Sequence, residues 1–185
     1  MPNWCFNTLS VDGVASAITK FREWLNDQPL TLQKIRPMPK ELEDTISPTP
    51  AADAEKAKIL LEKYGSDNWY DWHVANWGTK WDAEITEDDA SEENIYYSFD
   101  SAWGPSVEAT KYLSTLFPDL TFTHKYYETG VGFAGTLTAT NGEYDETYFD
   151  CDDDKEGYRA FMIDEFDYDP YEDSEEDEDD DEDNQ

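Results

Sequence analysis

Basic residues are scarce in this chain. Lys and Arg number 13 in 185 residues against 45 Asp and Glu, which leaves a formal charge of −32 at pH 7. Such a surface repels phosphates, so direct nucleic-acid binding through Lys and Arg is disfavoured, as is adhesion to anionic membranes. Cysteine is nearly missing too. Cys5 and Cys151 are too few for an iron–sulfur cluster or a four-cysteine zinc site. Only His73 and His124 are present, and a histidine without a nucleophile and an orienting acid rarely makes a catalytic site. Gly-rich phosphate loops, a serine elbow and zinc spacings are absent as well. No apolar run approaches membrane length and no opening stretch reads as a secretory signal. The expectation is a cytoplasmic protein with no cofactor, no metal and no catalytic residues. Asp150, Asp152 and Asp154 imitate the start of a calcium loop, but Lys155 stands where Gly is needed and Phe161 where Glu is needed.

Aromatic rings are what the chain has in excess, at 15% of residues. Four of its seven tryptophans lie in one stretch, Trp69 to Asp82. At helical period Trp69, Trp72, His73 and Asn76 share one face and Tyr70, Val74 and Trp77 the next. Gly78 falls where a left-handed cap would end the helix. The period then becomes two, with Trp81, Ala83 and Ile85 pointing one way. One reading is a packing hub, since such rings bury large areas while their polar tips find partners. The other is an aromatic ligand pocket formed by Trp69, Trp72, His73, Asn76 and Trp81, with the histidine and asparagine as polar handles.

In order along the chain, residues 3–11 alternate as a strand and Val14–Asn26 places Val14, Ile18, Phe21 and Leu25 on one helical face. Leu30–Arg36 reads as the returning strand of a parallel strand–helix–strand unit. Residues 51–64 form a helix that leads into the tryptophan stretch, and residues 86–93 read as an acidic loop. Ile95, Tyr97 and Phe99 alternate in a strand. Gly104-Pro105 opens a helix with an apolar face of Ala109, Tyr112, Leu113, Leu116 and Phe117. Strands follow at residues 120–127, 131–140 and 143–149, the last pair joined by Asn141-Gly142. Lys155–Phe166 is expected to be a helix with Tyr158, Phe161, Met162 and Phe166 on one side. Together these elements predict an α+β ferredoxin-like sandwich over residues 1–150, with a helical insertion at 51–78. Residues 151–185 are expected to add an acidic helix and a disordered tail.

Several motifs, taken together, resemble a known family. Met-Pro-Asn-Trp-Cys-x-Asn at residues 1–7, Pro37-Met38-Pro39, Asn76-Trp77-Gly78-Thr79-Lys80-Trp81-Asp82 and Ser101-Ala102-Trp103-Gly104-Pro105 are similar to the YubB-type ferredoxin-like domains of phages and plasmids. Tyr127-Glu128-Thr129-Gly130 and Phe133-Ala134-Gly135 fit the same pattern. The resemblance covers roughly residues 1–140 and implies the fold and a mobile-element origin; it implies no reaction.

What remains is charge. Residues 143–185 carry a net −21, against −11 for residues 1–142. Asp152, Asp153, Asp154, Asp164, Glu165, Asp167, Asp169, Glu172 and Asp173 are interleaved with Phe166, Tyr168 and Tyr171. Such a surface could fill the Lys/Arg groove of a basic nucleic-acid-binding host protein as phosphates do, with the rings as anchors. A solvated tail that only keeps the protein soluble remains the other reading.

Overall fold

Strand β1 (Trp4–Asp12) turns Cys5, Asn7, Leu9 and Val11 inward and Trp4, Phe6, Thr8 and Ser10 to its other side, the two-residue period of an extended chain. The computed structural model describes residues 2–172, so Asp173 and the expected disordered tail lie outside the described residues. Helix α1 (Ala15–Leu25) buries Ala17, Ile18, Phe21 and Leu25 and ends where Asn26 takes a left-handed conformation. The chain then makes β2 (Leu30–Thr31), the short helices α2 (Leu32–Ile35) and α3 (Lys40–Glu43), α4 (Ala54–Tyr64) and α5 (Trp69–Trp77). It continues through β3 (Glu84–Ala90), β4 (Asn94–Ala102), α6 (Val107–Leu116), β5 (Thr121–Glu128), β6 (Phe133–Thr140), β7 (Glu143–Asp150) and α7 (Lys155–Phe166).

The strands form one sheet in the order β2-β3-β4-β1-β5-β6-β7, antiparallel at every step. Since β4 is antiparallel to both β1 and β3, those two run parallel with β4 between them. The ferredoxin-like core is therefore β1-α1-β3 followed by β4-α6-β5, and β6 and β7 extend one edge. This corrects two expectations. Leu30–Arg36 is not the returning strand: only Leu30 and Thr31 pair, antiparallel to β3, and the chain turns helical because Thr31 caps α2 by accepting a bond from the Lys34 N–H. Residues 86–93 are not a loop either, since Glu84–Ala90 is the true returning strand, paired to β4 through a bulge between Glu87 and Asp89. Residues 26–83 thus sit within the first crossover connection.

The main core lies between one sheet face and the helices. Leu9, Val11, Tyr97, Phe99 and Phe122 meet Ile18 and Phe21 of α1, Leu113 of α6, and Trp72 and Trp77 of α5. The opposite face is covered at one end by α7. There Tyr158, Phe161 and Met162 bury against Ala134, with Tyr127, Phe149 and Phe166 at the margin. Around Lys125 that face carries a ladder of hydroxyls, Thr8 and Ser10 on β1, Thr123 on β5, and Thr136 and Thr138 on β6, with Tyr96 and Ser98 of β4 beside β1.

Candidate functional site

Two regions carry the residues singled out by sequence. The first is α5 with the segment after it. Asn68 caps the helix by accepting the Asp71 N–H, and Gly78 ends it at φ 88°. A Cβ at Gly78 would stand 2.5 Å from the Pro105 carbonyl, so only glycine allows α5 to approach the start of α6. Trp72, His73, Asn76 and Trp77 are buried. The Trp77 indole donates to the Arg36 carbonyl at 2.9 Å, and the His73 ring stacks on Trp77 with centroids 3.9 Å apart. His73 Nδ1 lies 2.8 Å from the Lys80 carbonyl, which can only accept, so Nδ1 carries the proton. Burial lowers the His73 pKa and favours the neutral ring. Asn76 donates to the Trp72 carbonyl at 2.8 Å. Trp72, Asn76, Trp77 and the His73 ring are therefore engaged in packing, while His73 Nε2 is buried with no hydrogen-bond partner among the described residues.

A groove exists beside the hub, lined by Ser47, Trp69, Tyr70, Lys80 and Trp103. Of the five expected pocket residues it contains Trp69 alone. Trp81 is half exposed, 6.3 Å from the Trp4 ring, with the Lys80 ammonium 4.9 Å from its own ring. Tyr70, Lys80 and Trp103 were not singled out from sequence as pocket residues. Their signal was a tryptophan followed by Gly-Pro in a motif with neither helical nor strand period. Trp103 has φ 72°, a left-handed conformation costly for a side chain of its size, and its ring is half exposed. Its N–H donates to the Asn3 carbonyl, and the Thr79 hydroxyl donates to the Ala102 carbonyl at 2.7 Å. Asn3, Thr79, Ala102 and Trp103 are thus joined at one end of the sheet.

Below the sheet surface, His124 is fully buried. Its Nε2 is 3.0 Å from the Asn7 side-chain oxygen and its Nδ1 2.8 Å from the Thr110 hydroxyl. The Asn7 amide nitrogen donates to Ser101 Oγ at 2.8 Å, so its oxygen faces the ring and Nε2 must donate. Burial drives the His124 pKa down to about 3. This is a satisfied internal network, closed to substrate. Burial also pushes the Cys5 thiol up to about 12, far from a reactive thiolate. Glu128, itself buried, accepts the Gly130 and Val131 N–H groups at 2.6 and 2.7 Å, which gives Tyr-Glu-Thr-Gly a turn-closing role. Among the described residues no cluster of His, Cys, Asp and Glu could hold a metal ion, and no helix is long and apolar enough to cross a membrane.

The second region is the acidic C-terminal unit. Asp154 caps α7 by accepting the Gly157 N–H. Glu165 pairs with Lys125 of β5, and Asp169 pairs with Arg159 at 2.6 Å, which lowers its pKa. The rings are also engaged internally. Phe166 packs 4.6 Å from Tyr127, Tyr168 stacks on Tyr127 at 6.3 Å, and Tyr171 meets Tyr158 edge-on at 6.5 Å. Asp152, Asp153, Asp164, Asp167 and Glu172 are exposed, and among the described residues no cation pairs with them. The expected cluster therefore divides. Glu165, Phe166 and Tyr168 tie the unit to β5, Asp154, Asp169 and Tyr171 are engaged within the unit itself, and the other five described acids project outward.

Comparison with known proteins reaches this same unit. A family model described as the ferredoxin-like domain in Api92-like protein matches residues 80–184. The crystal structure of the protein Api92 from Yersinia pseudotuberculosis is similar at 14% identity and a TM-score of 0.50. The match covers 80% of this chain and 98% of that one, a likeness of fold alone. No curated protein matches the sequence.

Proposed function

This chain belongs to the family of Api92-like proteins with a ferredoxin-like domain, and from that premise we propose that it is a non-enzymatic acidic interaction protein. In this reading it mimics nucleic acid and inhibits a basic DNA- or RNA-binding host protein. The setting we assign is a phage or plasmid product in the host cytoplasm, with a defence protein as the target class; the YubB-type motifs support that origin. The observation that carries the reading is a folded surface of acids with which no cation pairs among the described residues. Asp152, Asp153, Asp164 and Asp167 are held in place by a loop and helix whose own bases are occupied. Fixed charges lose less entropy on docking than a solvated run, and they steer a basic partner into contact.

Truncation is a poor test, because α7 seals an apolar end of the sheet. The clean perturbation is the full chain with Asp152→Asn, Asp153→Asn, Asp164→Asn and Asp167→Asn. Wild type immobilised in host lysate should retain a nucleic-acid-binding protein that elutes with salt and is lost with the variant. Equal capture by both proteins would reject the reading.

A second reading has one observation in its favour: the strained, half-exposed Trp103 beside Trp69, Tyr70 and Lys80. Such a groove suits a small planar ligand stacked on indole, with Lys80 beside an anionic group. A titration of nucleotides that shifts tryptophan fluorescence in wild type and not in Trp103→Ala would support it.

A further inference from the structure

Among the described residues the sheet ends in a strand with no further strand beside it. β7 is terminal in the sheet order and pairs with β6 through eight residues without a break, from Thr140↔Glu143 to Phe133↔Asp150. Its outer side presents backbone N–H and C=O groups with no strand to bond. The opposite edge differs: β3 is partly covered by β2 and kinked by a bulge. β7 has no proline, glycine, lysine or bulge to interrupt a neighbour, and residues 143–148 are exposed.

Charge decides which neighbour fits. Full-length antiparallel pairing with a second copy would set Glu143 against Asp150 at each end and leave Asp145 and Glu146 with no cation opposite them, and like charges opposite each other destabilise a ladder. Glu146 is already engaged by Lys111 at 3.0 Å and by the Tyr126 hydroxyl at 3.3 Å. Glu143 and Asp145 have no ion pair among the described residues and lie on the face shared with Thr147 and Phe149. Beyond the strand's end stand the exposed Asp152 and Asp153. Tyr144 and Tyr148, more than half exposed on the other face, offer rings to β-branched neighbours.

We propose that the free edge of β7 captures an extended Lys/Arg-bearing segment of a protein partner by adding it to the sheet as an eighth strand. Main-chain hydrogen bonds hold the segment, and Glu143 and Asp145 select its cations. The inference rests on the basic-partner reading for the charge of the occupant and adds to it a backbone mode of contact.

The probe is a capped peptide of alternating lysine and valine, equal in length to β7 and titrated calorimetrically into the full chain at low salt. Two further peptides carry N-methyl groups on alternate residues, one set on the lysines and the other on the valines. N-methylation removes donors and leaves charge unchanged. In a ladder only one set faces the edge. The parent peptide should bind, one methylated set should weaken binding at least tenfold, and the complementary set should bind within about twofold of the parent. Glu143→Gln with Asp145→Asn should weaken the parent several-fold. No binding of the parent, or equal binding of both methylated peptides, overturns strand addition and leaves the acids of β7 as edge protection only. The wider reading fails separately. If the lysate partner of the preceding section is not displaced by DNA, mimicry is wrong whatever the peptides do.

Discussion

Burial of His124 makes a quantitative claim about acid stability. The ring is neutral in the fold and its pKa falls from the ordinary 6.5 to about 3. The folded state therefore binds this proton less readily than the unfolded chain. Its contribution to stability is complete above pH 6.5, shrinks as pH falls, and is lost by about pH 3. Each pH unit in that window costs about 1.4 kcal/mol, so between pH 7 and 4.5 the loss is about 3 kcal/mol. The many carboxylates also titrate there, and they are common to wild type and variant. The perturbation is His124→Gln, which removes the titration while keeping an amide beside Asn7 and Thr110. The assay is urea unfolding followed by tryptophan fluorescence from pH 7 to 4.5. The variant should be weaker at pH 7 because the network is broken, and its disadvantage should narrow by about 3 kcal/mol on acidification. A difference between the two proteins that stays constant across that range would refute a buried, uncharged His124.

Other consequences are sharper in kind than in size. Trp77→Ala should cost about 3–5 kcal/mol in the same assay, since a fully buried indole and its bond to the Arg36 carbonyl are both lost. Glu128→Ala strands the Gly130 and Val131 N–H groups and should cost about 2–3 kcal/mol; a loss within experimental error would remove the turn-closing role. Under native conditions a thiol reagent should spare Cys5, which is buried and held protonated to about pH 12, and should modify Cys151 first. Equal rates at both thiols would contradict the buried position of Cys5.

The periodic parts of the fold were legible in the sequence for plain reasons. Trp69–Trp77 and Lys155–Phe166 carry a cap at each end and a continuous apolar face, and both occur as helices with those bounds. Leu30–Arg36 misled because Leu30 and Leu32 stand at the spacing of a strand and Leu32 and Ile35 at that of a helix. Alternation suggests a strand, while Leu32 and Ile35 are also helical neighbours, and the Thr31 cap decides between them. The two-residue period read at Trp81, Ala83 and Ile85 meets the strand only from Glu84, and the rest of Glu84–Ala90 was hidden because only Ile85 buries. That strand is imposed by its pairing with β4, a partner that local composition does not reveal. At the C-terminus the rings and acids were visible, yet their partners were not. Phe166 and Tyr168 meet Tyr127, about forty residues earlier in the chain, so a face that reads as a set of external anchors is largely an internal one. The aromatic groove was missed in a similar way. It joins Trp69 and Tyr70 at the start of α5 to Ser47, Lys80 and Trp103 of three separate loops.

The central claim, that outward acids stand in for nucleic acid, is tested most directly by competition. A partner captured on the immobilised full chain would be eluted with increasing DNA at fixed salt, then with salt alone. Mimicry predicts release by DNA at concentrations near the partner's own affinity for it, together with weakening as salt rises, because exposed charges are screened within roughly 8–10 Å. Retention of the partner at saturating DNA, with no dependence on salt, would contradict the account and turn attention to the groove at Trp103.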